Sequence, residues 1–169
     1  MSAAVGSARR VVLGLGSNLG DRLGTLRAAV EALGADPALD VLQESPRYES
    51  PPAGGPPQGN YVNVAVLLAT SLPAREILVR TLAVERSLGR TRPDAVRWGP
   101  RTIDIDVLWI EGESVAEPDL EVPHPRLCLR AFALRPLLDV APDARDPRTA
   151  EPYAALPAAS APLRRLDEV

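Results

Sequence analysis

The sequence predicts an α+β fold: a ferredoxin-like βαββαβ core with a mostly antiparallel sheet, helices packed on it and C-terminal additions. Apolar runs, some with period-two alternation, indicate strands, and apolar residues at helical spacing indicate two helices between them. These segments follow one another in the order β-α-β-β-α-β. Because the chain has 169 residues, 46% of them hydrophobic, we expect one domain over 1–169, with peripheral tails at 1–9 and from about 146 to 169.

The first half of the core begins with a buried strand over 11–16. A turn and a helix follow, and apolar residues at helical spacing predict that this helix ends at Gly34. A second strand is expected over 41–49, before a Pro- and Gly-rich run over 50–59.

The second half begins with a strand over 61–69. A helix is predicted from Pro73 to near Gly89, followed by a charged loop over 90–100 and a strand over 102–110.

Beyond the core, a helical stretch is expected from Arg126. The Pro- and Ala-rich segment after Asp143 is expected to be weakly structured and to pack on the body of the domain.

Composition excludes several functional classes. A net charge of −3 gives no electrostatic footprint for nucleic acid, and no apolar run has the length of a membrane span. We therefore expect neither nucleic-acid nor membrane partners. The single Cys128 cannot form an internal disulfide, which is typical of a reducing compartment, so we expect a cytoplasmic protein. Every residue that is basic at neutral pH is Arg, which excludes Lys-dependent phosphate loops and leaves Arg, metal and backbone N–H groups to bind phosphates.

The last predicted strand carries two carboxylates on one face. Asp104 and Asp106 alternate with apolar residues, which places their Cα atoms roughly 7 Å apart. Two carboxylates this close repel each other unless a cation lies between them, and Mg²⁺ favours a few carboxylates plus substrate phosphates. Arg97 and Arg101, separated by residues 98–100, would suit an anionic substrate. The alternative is an ordinary solvent-facing strand with two charged residues.

Two other features have competing explanations. The glycine-rich turn over 14–20 resembles a dinucleotide-binding loop, but Leu19 stands where the third Gly is required, so a tight turn with Asn18 or Asp21 as helix cap explains it better. Glu85 continues the apolar stripe of its helix. Either the stripe ends early and Glu85 is solvated, or its carboxylate holds a defined donor such as an Arg or a ligand N–H.

Taken together, the motifs resemble those of the 6-hydroxymethyl-7,8-dihydropterin pyrophosphokinases, enzymes of folate biosynthesis. The resemblance covers roughly residues 10–145 and is most specific in the block Arg-Trp-Gly-Pro-Arg-Thr-Ile-Asp-Ile-Asp. The other matching segments, in order, are 14–18, Tyr-Val-Asn at 61–63, Gly-Arg-Thr-Arg at 89–92, Val-Pro-His-Pro-Arg at 122–126 and Arg-Ala-Phe at 130–132.

The resemblance implies that the β,γ-diphosphate of ATP moves onto the pterin hydroxymethyl group and that AMP is released. It implies two Mg²⁺ ions held by Asp104 and Asp106, with ATP as co-substrate and small molecules as the partners of a monomer. The implied catalytic residues are Arg92, Arg101, Asp104 and Asp106. The implied ATP-binding residues are Glu85, Arg90, Arg92, Trp98, Arg101, Val107, His124 and Arg130. The implied pterin-binding residues are Ser50, Pro51, Ala53, Tyr61, Asn63, Trp98, Asp104 and Phe132.

The chain departs from the family pattern at two places. Ala53 is smaller than the apolar residue expected there, which predicts a looser pterin pocket. The loop from Arg90 to Trp98 is one residue longer than in the short form of the family, which weakens the assignment of Arg92 more than that of Arg101.

Two other functions compete with this one. A nucleotidyltransferase also combines Gly-Ser with an Asp-x-Asp strand, but there the motifs lie within a few tens of residues, whereas here Gly16 and Asp104 are more than eighty residues apart. A regulatory metabolite-binding module of the same fold would have no use for paired carboxylates flanked by several Arg residues.

Overall fold

The computed structural model describes residues 6–91 and 96–166, which form one six-stranded sheet with helices on both faces. No helix within these ranges is both long and apolar enough to span a bilayer. The strands are β1 Arg9–Ser17, β2 Asp40–Glu44, β3 Arg47–Ser50, β4 Tyr61–Thr70, β5 Asp104–Ile110, β6 Val115–Glu117, β7 Leu120–Val122 and β8 Arg164–Leu166. The helices are α1 Arg22–Gly34, α2 Ala74–Ser87 and α3 Ala131–Val140, with short 3₁₀ turns at Leu127–Leu129, Tyr153–Ala155 and Pro157–Ser160.

The sheet has the strand order β5-β1-β4-β3-β8, with β2 also paired to β4, and every pairing is antiparallel. The predicted α+β, ferredoxin-like arrangement is therefore confirmed. β1 and β4 lie in the middle, so their residues are buried by neighbours on both sides. Strands β6 and β7 form a separate hairpin that the sequence patterns had not indicated.

The strand expected over 41–49 is in fact two strands. Ser45 and Pro46 separate β2 from β3, and the Ser45 hydroxyl accepts a hydrogen bond from the Ala65 amide at 2.8 Å. Pro46 has no N–H to contribute to a ladder, so the chain bends there and then pairs with β4 again. This bend brings the end of β3 beside the start of β4.

Helix boundaries follow local chemistry. The Asp21 carboxylate accepts the Gly24 amide at 3.0 Å and so caps α1, which ends at Gly34 as the sequence predicted. Gly89 follows α2 with φ of 96°, a left-handed conformation that favours glycine. The chain can therefore turn sharply toward Arg90.

Alternation along the strands divides the core into two parts. Residues Val11, Leu13 and Leu15 of β1 pack with α1 and α2 on one face of the sheet. Val12, on the opposite face, packs with α3 and the segment after it.

The segment after Asp143 is more ordered than the sequence suggested. Tyr153 is only 1% exposed and belongs to the α3-side core, and β8 pairs with β3 at the sheet edge. The Trp109 indole N–H also donates to the Arg145 carbonyl at 2.8 Å. The expectation of weak structure was wrong here because one large aromatic side chain and a few backbone hydrogen bonds anchor a sequence of small residues.

Candidate active site

A cleft of about 340 Å³ opens on the α3 side of the sheet, near the N-terminal end of β5. Its volume is within the usual range for small-molecule sites. Most of the residues that the sequence singled out face this cleft. They are Ser50, Pro51, Ala53, Tyr61, Asn63, Trp98, Arg101, Asp104, Asp106, His124, Arg130 and Phe132.

The floor of the cleft is made by glycines of β1. Gly16 lies between Asp104 on β5 and Asn63 on β4, and Gly14 lies in the next row, between Asp106 and Ala65. A Cβ added at Gly16 would lie 3.3 Å from the Tyr61 ring and 3.4 Å from Asn63 Oδ1. The sequence pattern suggests a turn at these glycines, whereas both lie within β1. The missed signal was their alternate spacing within a strand, which puts both on one face.

The two carboxylates of β5 face the cleft together, as their alternation predicted. Asp104 Oδ1 accepts from the Arg90 guanidinium at 2.7 Å, and its Oδ2 lies 3.3 Å from Arg101 Nη1. The Asp106 backbone pairs with Gly14 of β1, whereas its carboxylate forms no hydrogen bond or ion pair at contact distance within the described residues. Burial, and then the charges of Asp104 and Glu85, raise the pKa of Asp106 to about 8. The charges of Arg101 and Arg130 act in the opposite direction but do not cancel these effects.

The carboxylate pair fits a hard divalent cation. No three His, Cys, Asp or Glu side chains are grouped as a metal cage within 6–91 and 96–166. Asp104 and Asp106 could supply carboxylate oxygens to such an ion and leave other coordination positions for water and phosphate oxygens. Mg²⁺ favours this donor set over an all-protein cage.

Glu85 and Arg90 lie beneath the carboxylates rather than in the cleft. Their side chains are 2% and 3% exposed and form an ion pair at 3.0 Å. Glu85 also accepts the Ile105 amide at 2.7 Å, so the carboxylate holds defined donors, the second of the two alternatives considered above. The ion pair fixes the start of β5 to the end of α2.

One wall of the cleft is positively charged. Arg101, Arg126 and Arg130 all line it, and burial together with the charge of Arg126 lowers the pKa of Arg130. Because three arginine side chains and two carboxylates line the same cleft, the site favours an anionic ligand that binds together with a metal ion. Arg126 belongs to the matching segment 122–126 but is not among the residues for which the family resemblance implies a role.

His124 lies on the same wall, and one of its ring nitrogens already accepts a hydrogen bond. Its Nδ1 accepts the Arg126 amide at 3.1 Å, so Nε2 carries the proton in the neutral ring and is the nitrogen free to donate. Burial, and then the charge of Arg130, lower the pKa of His124. The imidazole is therefore neutral near pH 7 and acts as a hydrogen-bond donor.

The remaining part of the cleft suits a flat heterocycle. The aromatic side chains of Tyr61, Trp98 and Phe132 line it, and a buried amide lies between β3 and β4. Asn63 Nδ2 donates to Ser50 Oγ at 2.8 Å, while Asn63 Oδ1 faces the space above Gly16. The amide therefore presents an acceptor to a ligand.

Four of the predicted residues do not line the cleft, and one is not described. Glu85 and Arg90 are buried below it, and the Val107 side chain points into the α1/α2-side core because it alternates with Asp106. Only backbone atoms of Val107 remain for a nucleotide contact. Arg92 lies outside the described residues. Arg97, proposed with Arg101 for an anion, is exposed and is not among the lining residues.

Comparison with known proteins agrees with this geometry. A profile of the 7,8-dihydro-6-hydroxymethylpterin-pyrophosphokinases matches residues 12–142. The chain belongs to this family. Members of this family act on hydroxymethyldihydropterin with ATP in folate biosynthesis. Because the chain is a member, we assign this activity to it.

Individual relatives support the assignment. The chain is 46% identical over 134 residues to the 2-amino-4-hydroxy-6-hydroxymethyldihydropteridine pyrophosphokinase of Methylorubrum extorquens, covering 79% of this chain and 84% of the relative. It is 44% identical over 128 residues to the enzyme of the same name from Bacillus subtilis, covering 76% and 75%. Both alignments span most of either protein.

A solved structure supports the fold alone. The Plasmodium falciparum HPPK-DHPS chain crystallised with pteroate superposes with a TM-score of 0.66 at 14% identity. The match covers 89% of this chain and 42% of the larger one, so this chain spans less than half of that protein.

Proposed function

We propose that the cleft carries out diphosphoryl transfer in one step. The pterin hydroxymethyl oxygen attacks the β-phosphorus of ATP, the bond from that phosphorus to the α,β-bridging oxygen breaks, and the hydroxyl proton is released. The products are the pterin diphosphate and AMP. The observation that carries this proposal is the placement of paired carboxylates, three arginines and an aromatic slot in one cleft.

The reaction needs a divalent ion, and we propose Mg²⁺, two ions in all, at Asp104 and Asp106. Bound there, Mg²⁺ would neutralise charge on the triphosphate and orient it. The protein's own contribution is to hold the two carboxylates on a rigid strand. Arg90 and Glu85 support Asp104 from below, so its orientation is fixed before any ligand arrives.

On the nucleotide side, Arg101 and Arg130 would bind phosphate oxygens and His124 would donate through Nε2. In this arrangement they would meet the negative charge that develops as the bond to AMP breaks, and they would stabilise the transition state by positioning and charge. Arg92 is assigned to the same role from the family motif, and Trp98 would cover the cleft. Glu85, Arg90 and Val107 would act on ATP only indirectly or through backbone atoms.

On the pterin side, Tyr61 and Phe132 would stack on the two faces of the ring. Asn63 Oδ1 would accept an N–H from the pterin edge, because its own amide hydrogens are directed to Ser50 and β3. Backbone groups of Ser50, Pro51 and Ala53 would complete the recognition. The small side chain of Ala53 leaves room beside the ring.

The deciding experiment measures nucleotide products from ATP, Mg²⁺ and 6-hydroxymethyl-7,8-dihydropterin. Stoichiometric AMP and pterin diphosphate are expected, whereas pyrophosphate release would indicate nucleotidyl transfer instead. Chelation by EDTA is expected to abolish turnover and added Mg²⁺ to restore it.

Asp106→Asn tests the metal site. We expect at least a thousandfold loss of turnover, about 4 kcal/mol of transition-state stabilisation, and the loss of Mg²⁺-dependent nucleotide binding. Asp40→Asn, on the exposed surface of β2, is the matched control and should retain activity. Full activity in Asp106→Asn would refute the metal site.

We also infer that the enzyme works as a monomer in the cytoplasm on small molecules alone. Sedimentation at working concentrations, with activity independent of protein concentration, tests the monomer.

A further inference from the structure

Tyr48 of β3 connects the sheet to α3 through its side chain. The residue is 3% exposed, and its hydroxyl donates to Asp139 Oδ2 at 2.5 Å. Asp139 lies near the end of α3 at the protein surface, so a buried phenol meets an exposed carboxylate. Hydrogen bonds to an ionised acceptor are stronger than those between neutral groups. This contact therefore holds the second half of α3 against β3.

Arg135 lies one helical turn before Asp139 and contacts the same tyrosine. Its guanidinium carbon lies 5.9 Å from the centre of the Tyr48 ring, and its Nη1 donates to the Ala161 carbonyl at 2.8 Å. Ala161 belongs to the segment that leads into β8, and β8 pairs with β3 so that Arg165 lies opposite Tyr48. Helix α3, strand β3 and the C-terminal segment therefore meet at Tyr48.

The elements that meet at Tyr48 also carry residues of the cleft. Helix α3 contributes Phe132 and Pro136, and β3 contributes Ser50. Tyr48 lies opposite Asn63 of β4, and its carbonyl accepts from Asn63 Nδ2 at 3.4 Å. Because Tyr48 contacts α3 with its side chain and Asn63 with its backbone, the separation of α3 from β3 at this point sets the spacing between Phe132 and Asn63.

The first turn of α3 is weakly held by the hydrogen bonds of the helix itself. Pro136 lies inside α3 and has no N–H to donate to the Phe132 carbonyl. Among the described residues, no side chain caps the helix at Arg130. The position of Phe132 therefore depends on contacts that α3 makes elsewhere along its length.

We infer that Tyr48, Arg135 and Asp139 are positioning residues for the pterin side of the cleft, supported by the C-terminal segment at Ala161. None of these three side chains is among the residues that line the cleft, so they act through α3 rather than on the ligand. They hold α3 at a fixed separation from the sheet, which keeps Phe132 at the distance from the sheet that a flat ring requires. The identity of this ring as a pterin rests on the proposed function above.

Three variants alter these contacts without adding a charge. Asp139→Leu removes the acceptor of the tyrosine hydroxyl, whereas Asp139→Asn keeps a carbonyl oxygen that can accept it. Arg135→Met removes the donor to the Ala161 carbonyl and keeps an unbranched side chain. Asp40→Leu on β2 and Arg27→Met on α1, both exposed, are the matched controls.

The structural readout uses the single phenylalanine of the chain, which is Phe132. Protein labelled with fluorophenylalanine therefore gives one fluorine NMR signal, and that signal reports on this ring. In Asp139→Leu and Arg135→Met we expect the signal to shift or broaden, because α3 is no longer held at one separation from the sheet. Asp139→Asn and both controls should keep the wild-type signal. An unchanged signal in both Asp139→Leu and Arg135→Met overturns the inference.

The functional readout compares the KM values of the two substrates. In Asp139→Leu and Arg135→Met we expect KM for the pterin to rise by about fivefold and KM for ATP by less than about twofold. The phosphate side should move less, because Arg130 precedes α3 and its amide donates to the Leu127 carbonyl in the preceding 3₁₀ turn at 3.4 Å. Asp139→Asn should restore most of the pterin affinity. Equal changes in both KM values, or no change in either, overturn the inference.

The two readouts separate the failure of this inference from that of the proposed function. If the wild-type protein makes no AMP and binds no pterin, the proposed function fails, while the fluorine signal still tests whether Tyr48, Arg135 and Asp139 position Phe132. If the wild-type protein is active and both variants keep its KM for the pterin, only the present inference fails.

Discussion

Glu85 and Arg90 form an ion pair at 3.0 Å directly beneath the paired carboxylates, with both side chains almost fully buried. Arg90 Nη1 also bonds Asp104 Oδ1 at 2.7 Å and the Ile103 carbonyl at 3.2 Å. The guanidinium thus compensates one carboxylate from the helix and one from the strand. Asp104 is held in orientation by this pair, whereas the Asp106 carboxylate has no such partner in the part of the chain that the structure describes.

Glu85→Ala is expected to lower the free energy of unfolding by about 3–5 kcal/mol, because it leaves Arg90 short of a buried partner and the Ile105 amide without its acceptor. Urea denaturation followed by circular dichroism measures the change. Glu31→Ala, on the exposed face of α1, should cost less than about 0.5 kcal/mol. A loss below about 1 kcal/mol for Glu85→Ala would show that the pair contributes little.

Much of the fold was predictable because its signals are local. Strand alternation and helical spacing located the core elements, and the Asp104–Asp106 alternation placed both carboxylates in one cleft. The break at Ser45 was missed because it depends on a side-chain contact with β4, which no local pattern reveals. The order around Tyr153 was missed for the same reason, since it depends on packing against α3.

The candidate site was also predictable only in part. Residues with a chemical signature, such as Asp106 and His124, were found where the motifs placed them. Gly16 contributes to the site because it has no side chain. Its importance is visible only in the structure, where it lies between Asp104 and Asn63. Arginine commonly binds phosphate, but the Arg90 guanidinium is paired with the buried Glu85 carboxylate and lies below the cleft.

Gly16→Ala is expected to weaken pterin binding selectively. The added methyl would lie on the cleft floor, 3.3 Å from the Tyr61 ring, where it takes up space that a stacked ring needs. We expect KM for the pterin to rise by about tenfold, equivalent to about 1.4 kcal/mol, with KM for ATP nearly unchanged. Steady-state kinetics with each substrate varied in turn measures this.

Gly34→Ala is the control for Gly16→Ala. It stands at the end of α1, where a Cβ meets no atom within 4 Å, and should leave both KM values unchanged. Equal increases in both KM values for Gly16→Ala would indicate general distortion of the cleft rather than a filled floor.

Arg101→Ala is expected to lower kcat more than it raises KM for ATP. Arg101 lines the cleft and lies 3.3 Å from Asp104, and in the proposed reaction it would meet charge that grows in the transition state. A loss of about a hundredfold in kcat is expected, with Arg101→Lys recovering only part because it keeps charge but not the planar fork. Arg86→Ala, exposed near the end of α2, is the control. A change confined to KM would mean that Arg101 only binds substrate.

The single histidine of the chain, His124, is expected to titrate below its ordinary pKa of 6.5, because burial and the charges of Arg130 and Arg126 disfavour the imidazolium. The unfolded chain then binds this proton at higher pH than the folded one. Its contribution to stability is therefore level above pH 6.5 and declines as pH falls toward the lower pKa of the folded state.

Proton NMR tests this directly, since one histidine gives one imidazole C2–H signal. Arg130→Met should raise the pKa of His124 and Asp104→Asn should lower it further, because the first removes a repelling cation and the second an attracting carboxylate. Arg27→Met, exposed on α1, should leave the titration unchanged. A pKa at or above 6.5 in the wild-type protein would contradict this prediction.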